Sequence, residues 1–141
     1  MELYDLINIQ GKDNETELEK CIVVVKEQLK DLTEDRTCKI YNGLLYQELV
    51  KSHVTAKLVN TKDIGLPYEH VFILIPMNRG VFYLADLTYS QFRNQNPNFV
   101  RLLMNGYQKV DNRLLNQYIR IVEPKDIDKT YDIDSIYFNK M

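Results

Sequence analysis

Two dense runs of β-branched and aromatic residues, HVFILIP (70–76) and VFYLADLT (81–88), constrain this chain more than any other feature. Both read as strands, and both are apolar on the two faces a strand presents. The Met77-Asn78-Arg79-Gly80 segment between them reads as a short hairpin loop. A hairpin that is apolar on both sides belongs in the middle of a sheet, with cover above and below. The rest of the 141 residues has to supply that cover.

Helices are written on either side of the hairpin. Leu18, Cys21, Ile22, Val25, Leu29 and Leu32 recur at three- and four-residue intervals, which predicts an amphipathic helix from about Thr16. Cys21 falls among aliphatic residues on that stripe and reads as an ordinary core thiol. Asp35 and Thr37 are two candidate N-caps for a second helix running to about Ser52, with Tyr41, Leu44, Leu45 and Leu49 on its buried face. Residues 54–60 (VTAKLVN) alternate like a strand, and a loop with Gly65 and Pro67 follows. Beyond the hairpin, an asparagine-rich loop at 93–98 leads to a short helix over about 98–105, closed by Asn105-Gly106. Asp111 then caps a further helix carrying Leu114, Leu115 and Tyr118. Residues 1–15 read as an irregular opening segment, and the late YDIDSIYF run as an edge strand or irregular chain. Without repeats, low-complexity tracts or linkers, residues 1–141 are expected to form one α+β domain, with helices packed on a small antiparallel sheet around a central hairpin.

Composition excludes several functions. The net charge of −2, with no basic cluster, argues against nucleic acid as a partner. The first residues lack a basic region followed by an apolar core, and no stretch of about 18 apolar residues exists. The expectation is a soluble protein of a reducing cytoplasm with no membrane association; export without a cleavable signal stays open. Two cysteines cannot build a disulfide framework, and with two dispersed histidines they make a structural zinc site improbable. The aspartates at 126, 128, 132 and 134 lack the glycine and closing glutamate of a calcium loop. No Gly-rich phosphate loop is present. No metal and no organic cofactor is expected, and the sequence carries no signature of oligomeric state.

Three residues stand out for chemistry. Cys38 falls in the first turn of the second helix, where backbone N–H groups and the helix dipole favour a thiolate. Arg36 and Lys39 push in the same direction, and the same N–H groups suit a carbonyl oxygen turning into an oxyanion. His70 opens the first hairpin strand and Asp86 lies near the end of the second. Their numbers share parity, so a loop of odd length puts them directly opposite on one face. A five-residue loop that includes Pro76 gives that register; a four-residue loop would put them on opposite faces unless a bulge intervened. A buried Asp86 needs a partner, and an imidazole N–H is an obvious one. Taken singly, each residue has a plain structural reading: core thiol, strand-start histidine, turn aspartate. Together they read as a Cys38–His70–Asp86 triad, with His70 oriented by Asp86 and acting on Cys38. His53, at the end of the Cys38 helix, reads as a dipole complement rather than a ligand.

A cysteine at a helix start, a histidine at the head of a strand and an aspartate on the next strand resemble the transglutaminase-like and arylamine acetyltransferase-like branches of the papain superfamily. EHVFILIPMNRGVFYLADLTYSQF (69–92) is similar to papain-like bacterial effector domains that deamidate protein glutamines, where an H-x-F strand precedes D-L-T-x-x-Q-F. LLMNGYQKVDNRLLNQYI resembles the segment that follows in those proteins, and the order of elements matches over residues 18–122. The resemblance implies a papain/transglutaminase-like core, Cys38 as nucleophile, His70 as base and acid, and Asp86 as its orienter. Attack on a protein amide follows, with a thioester intermediate and transfer to water or an amine: glutamine deamidase, cysteine protease or transglutaminase, in that order. Tyr89 and Gln91 would line a substrate groove, and the implied partner is a protein substrate. Asp35-Arg36-Thr37 stand where many relatives carry a glycine, and Gln28 is the one upstream candidate for an oxyanion donor. An inactive papain-like module that binds a protein is the alternative, and a different α+β fold that keeps the three residues apart is a third.

Overall fold

The structure, a computed structural model, describes residues 13–32, 37–66, 69–78, 80–92 and 96–122. Helix α1 (Glu15–Gln28) carries Glu15 and Glu17 in its first turn and Lys26 in its last, each sign suited to its end of the dipole. It buries Leu18, Cys21, Ile22 and Val25, and Leu29, just past its end, packs half-buried on the same core; of the expected stripe only Leu32 is exposed. Helix α2 (Cys38–Lys51) begins at Cys38 with Thr37 as N-cap residue, and buries Tyr41, Asn42, Leu45 and Leu49. Its end is a Schellman motif. The Val54 N–H bonds the Leu49 carbonyl (2.9 Å), the His53 N–H bonds the Val50 carbonyl (3.0 Å), and His53 takes the left-handed φ of 60°. That motif uses up residues 52–54, so strand β1 (Lys57–Asn60) starts three residues later than its alternation predicts.

A 3₁₀ turn (Thr61–Ile64) leads through the loop to strands β2 (Val71–Asn78) and β3 (Val81–Ala85). Two more 3₁₀ turns, Tyr89–Gln91 and Pro97–Phe99, precede helix α3 (Val100–Asn105), strand β4 (Tyr107–Val110) and helix α4 (Asn112–Val122). The Leu114 N–H bonds Asp111 Oδ1 (2.9 Å), which is the expected cap. The four strands form one antiparallel sheet in the order β1-β2-β3-β4, with the apolar hairpin in the two central places. β4 has no counterpart among the sequence expectations: Gln108 and Lys109 interrupt its apolar ends, and a four-residue edge strand gives little period to read. The YDIDSIYF run lies outside the described residues, as do Asp35 and Arg36.

Both faces of the sheet are covered. Ile73, Ile75, Tyr83 and Ala85 pack against α1 and α2 through Leu18, Ile22, Val25, Leu45 and Leu49. Phe72, Leu74, Phe82 and Leu84 pack on the other face against Phe99, Leu102, Leu115, Tyr118 and Ile119, from α3, α4 and the turn before them. Helix–sheet–helix layering of this kind makes the α+β class plain. No helix among the described residues is long and apolar enough to cross a membrane.

One irregularity in the hairpin positions everything that follows. Ile73 pairs with Ala85, Leu74 with Leu84, Ile75 with Tyr83 and Pro76 with Phe82, but Asn78 pairs with Val81. The register slips by one residue at Met77, a β-bulge, and Gly80, just before β3, takes φ 77°. Of the alternatives the sequence left open, the bulge is the one that occurs, in place of the five-residue loop. Direct opposition of His70 and Asp86 is overturned as well: continued along the strands, the register puts Phe72 across from Asp86. Parity survives. His70 continues the Phe72–Leu74 face and Asp86 the Leu84–Phe82 face, so both point to the same side, two residues out of step.

Candidate active site

The site forms where β2 and β3 part company. Beyond Ile73 and Ala85 the strands no longer pair, while on the other side of β3 the Asp86 N–H continues the β3–β4 ladder to the Gly106 carbonyl (2.9 Å). Two backbone groups of the interrupted ladder, the Val71 carbonyl and the Leu87 N–H, are taken up by one side chain. Asn42 donates from Nδ2 to the Val71 oxygen (2.8 Å) and accepts at Oδ1 from the Leu87 N–H (2.9 Å). It also donates from Nδ2 to Asp86 Oδ1 (3.0 Å). Asn42 lies one helical turn beyond Cys38, so both residues project from α2 towards this end of the sheet.

Asp86 is fully buried and accepts from five donors. Oδ1 takes Asn42 Nδ2, the Thr88 N–H and the Thr88 hydroxyl, each at 3.0 Å. Oδ2 takes the Tyr118 hydroxyl at 2.7 Å and His70 Nε2 at 2.9 Å. Burial alone would raise this carboxyl, but the His70 charge and the hydrogen bonds from His70, Asn42 and Tyr118 hold it below its ordinary range. A carboxylate only accepts, so His70 Nε2 carries a proton, and Tyr118, lying 3.0 Å from the same nitrogen, shares it. Nδ1 is thereby left to the sulfur of Cys38.

Cys38 shares a cleft with His70, and hydrogen bonding by His70 and by the Val71 N–H is what draws its thiol pKa down. Burial works to raise the thiol pKa; those two hydrogen bonds and the His70 charge outweigh it and leave the thiol below its ordinary 9.0. His70 moves the other way. Burial would lower it, but Asp86, by charge and hydrogen bond, and Cys38 after it, raise the imidazole from 6.5 to about 9. The two shifts together favour a thiolate–imidazolium pair backed by a buried carboxylate.

The pair opens onto a cleft of about 510 Å³ lined by Thr37, Cys38, Ile40, His70, Gln91 and Phe92, with Lys39 and Glu69 beside them. Phe92 sets its ring edge-on to His70, the centroids 4.9 Å apart. Lys39 and Glu69 bridge at 2.5 Å, and Glu69 also accepts from Asn60 (2.8 Å). Lys39 is thus engaged at the rim of the cleft; the lowered thiol owes its hydrogen bonds to His70 and Val71 instead.

The other sequence expectations fall on both sides. Cys38, His70 and Asp86 come together, and Gln91 lines the cleft, its Nε2 donating to Thr88 (3.2 Å). Tyr89 does not line it. Its ring is fully buried against Phe99 and Tyr118, because the 3₁₀ turn carries it into the core while Gln91 and Phe92 turn out. Gln28 is the exposed last residue of α1 and does not line the cleft. Cys21 is buried in the core beside Ser52, its sulfur 3.5 Å from the hydroxyl oxygen. Asn42, Thr88 and Tyr118 are the site residues that sequence reasoning missed as such. The readable signal was Asn42, a polar residue on the Tyr41–Leu45–Leu49 stripe, four positions after the cysteine. The chain was compared with protein-family models, curated proteins and solved structures, and nothing in any of the three matches it.

Proposed function

We propose that this chain is a thiol enzyme of papain/transglutaminase-like type that attacks a protein amide through Cys38, His70 and Asp86. The observation that carries the reading is that Cys38 and His70 line one cleft, with His70 Nε2 held by a hydrogen bond to a fully buried Asp86. The 69–92 resemblance supports it and gives the order of preference: glutamine deamidation first, then peptide cleavage, then acyl transfer to an amine.

The chemistry follows from the protonation states. The Cys38 thiolate attacks the carboxamide carbon, and the carbonyl π-electrons move onto oxygen. As the oxyanion collapses, the C–N bond breaks and His70 Nδ1–H delivers its proton to the leaving ammonia or amine. A thioester remains on Cys38. Neutral Nδ1 then takes a proton from water, the hydroxide equivalent attacks the thioester, and the carboxylic acid leaves as the thiolate is restored. Asp86 holds Nε2–H throughout and stabilises the imidazolium without taking its proton. The Cys38 backbone N–H, at the start of α2, and the Gln91 carboxamide are the groups of the cleft suited to the oxyanion.

A second reading, a protein-binding module on the same fold, is favoured by Asp35-Arg36-Thr37 in place of a glycine before the cysteine. One experiment separates the two. A glutamine-rich unfolded protein is incubated with wild type and with Cys38→Ala, with and without a primary amine, and followed by mass spectrometry and ammonia release. Ammonia with glutamate formation marks a deamidase, fragments a protease, and amine incorporation a transglutaminase. No Cys38-dependent change in any channel rejects the enzyme reading for amide substrates of this class.

A further inference from the structure

Asn42 is fully buried, and all three of its hydrogen bonds run to the site or to the strand ends that frame it. Its orientation is fixed by its partners. The Leu87 N–H can only donate, so Oδ1 faces it; the Val71 carbonyl and the Asp86 carboxylate can only accept, so Nδ2 faces them. Along the register, Val71 and Leu87 would be the next but one pair after Ile73 and Ala85. The carboxamide therefore replaces a rung of the β2–β3 ladder and holds the two strand ends apart by its own width. That separation matters because the Val71 N–H is one of the groups that draw the Cys38 thiol pKa down, and the His70 ring reaches Asp86 across the same gap.

We infer that Asn42 is a positioning residue of the thiol site: it wedges β2 from β3, directs the Val71 N–H to the Cys38 sulfur, and fixes Asp86 Oδ1 so that Oδ2 meets His70. The inference rests on the thiol-enzyme reading above, since it assigns Asn42 a part in preparing that nucleophile. A small apolar residue at 42 would leave the Val71 carbonyl, the Leu87 N–H and one Asp86 contact without this partner, and the strands would close towards direct pairing. Asn42 touches no reacting atom, so its effect is on the ionisation of Cys38 and not on the chemical steps themselves.

The test compares the iodoacetamide alkylation rate of Cys38 at pH 6 in wild type, Asn42→Ala and Leu49→Val, with folding checked by circular dichroism. Leu49→Val trims the same helix face without touching a hydrogen bond of the site. Asn42→Ala is expected to slow alkylation about tenfold through a smaller thiolate fraction, while Leu49→Val keeps the wild-type rate despite its own loss of stability. A wild-type rate in Asn42→Ala overturns the inference, and so does an equal slowing in Leu49→Val. Should Asn42→Ala fail to fold, Asn42→Asp keeps the volume but sets a second acid against Asp86 and the Val71 carbonyl. Slowed alkylation in that variant, with the fold intact, supports the inference, and a wild-type rate rejects it. The parent reading fails separately: an ordinary Cys38 rate in wild type, indifferent to His70→Ala, removes the nucleophile itself.

Discussion

Asp86→Asn gives the sharpest view of how protons are arranged in this site. The substitution keeps shape and leaves an oxygen for the three donors on Oδ1, namely Asn42 and the two from Thr88. On the other side it puts an NH₂ where Tyr118 and His70 Nε2 both donate. The conflict resolves only if every proton reverses. The new amide donates to the Tyr118 oxygen, the Tyr118 hydroxyl donates to Nε2, and the imidazole proton moves to Nδ1, facing Cys38. Stability falls modestly, because the bonds are remade without their charge: about 2 kcal/mol, the difference between charge-assisted and neutral hydrogen bonds, read as roughly 5–10 °C in thermal unfolding.

The effect on the thiol is larger. Without the carboxylate, burial of His70 is uncompensated and the ring stays neutral, so Cys38 keeps the upward push of its own burial and loses the neighbouring charge. A thiol returned to 9.0 is about one part in a thousand ionised at pH 6. Alkylation of Cys38 should therefore fall steeply at pH 6 and recover above pH 9, while circular dichroism at 25 °C stays native. Retention of the wild-type rate at pH 6 in a folded Asp86→Asn protein would refute this proton arrangement.

Two further outcomes follow from the same geometry. His70, raised from 6.5 to about 9, contributes stability that is complete below pH 6.5 and is lost as pH rises through about 9. A thiol held below 9.0 contributes in the opposite sense, with stability growing towards pH 9.0, so Cys38→Ala should unmask the part of the His70 loss that Asp86 sustains, as a fall in unfolding midpoint above pH 6.5 that the wild type lacks; a flat profile in Cys38→Ala would show that Asp86 alone does not hold His70 above 6.5. Gly106 takes φ 82°, a Cβ there would stand 2.6 Å from Leu87 Cδ2, and its carbonyl holds the Asp86 N–H. Gly106→Ala should cost about 1–3 kcal/mol in denaturant unfolding and slow Cys38 alkylation as well, whereas an unchanged midpoint would contradict the tight approach.

What could be read in the sequence, and what could not, divides on whether the signal is local. The double-faced apolarity of 70–76 and 81–88 put the hairpin at the centre of the sheet. The stripes of Leu18–Val25 and Tyr41–Leu49 placed the two helices that cover one face, and shared parity was enough to put His70 and Asp86 on the same side. The bulge at Met77 was not legible, because nothing in Pro76-Met77-Asn78 marks which residue is skipped. Strand β4 was hidden by Gln108 and Lys109, which an edge strand tolerates and a pattern search reads as loop. Asn42 left a local trace as a polar residue on a buried stripe, but its task was not legible, because two of its partners, the Val71 carbonyl and the Leu87 N–H, are backbone groups that need it only once the strands have splayed. Tyr89 was misplaced because the 3₁₀ turn at Tyr89–Gln91 changes which of its side chains points inward.

Everything proposed for this site depends on Cys38 being a nucleophile that His70 activates. The decisive experiment is iodoacetamide alkylation of Cys38 and of the buried Cys21, followed across pH by peptide mass spectrometry in wild type and His70→Ala. Cys38 is expected to react fast well below pH 9 in wild type, Cys21 to stay slow, and His70→Ala to remove the difference. A Cys38 as slow as Cys21, or one that stays fast without His70, would contradict that dependence.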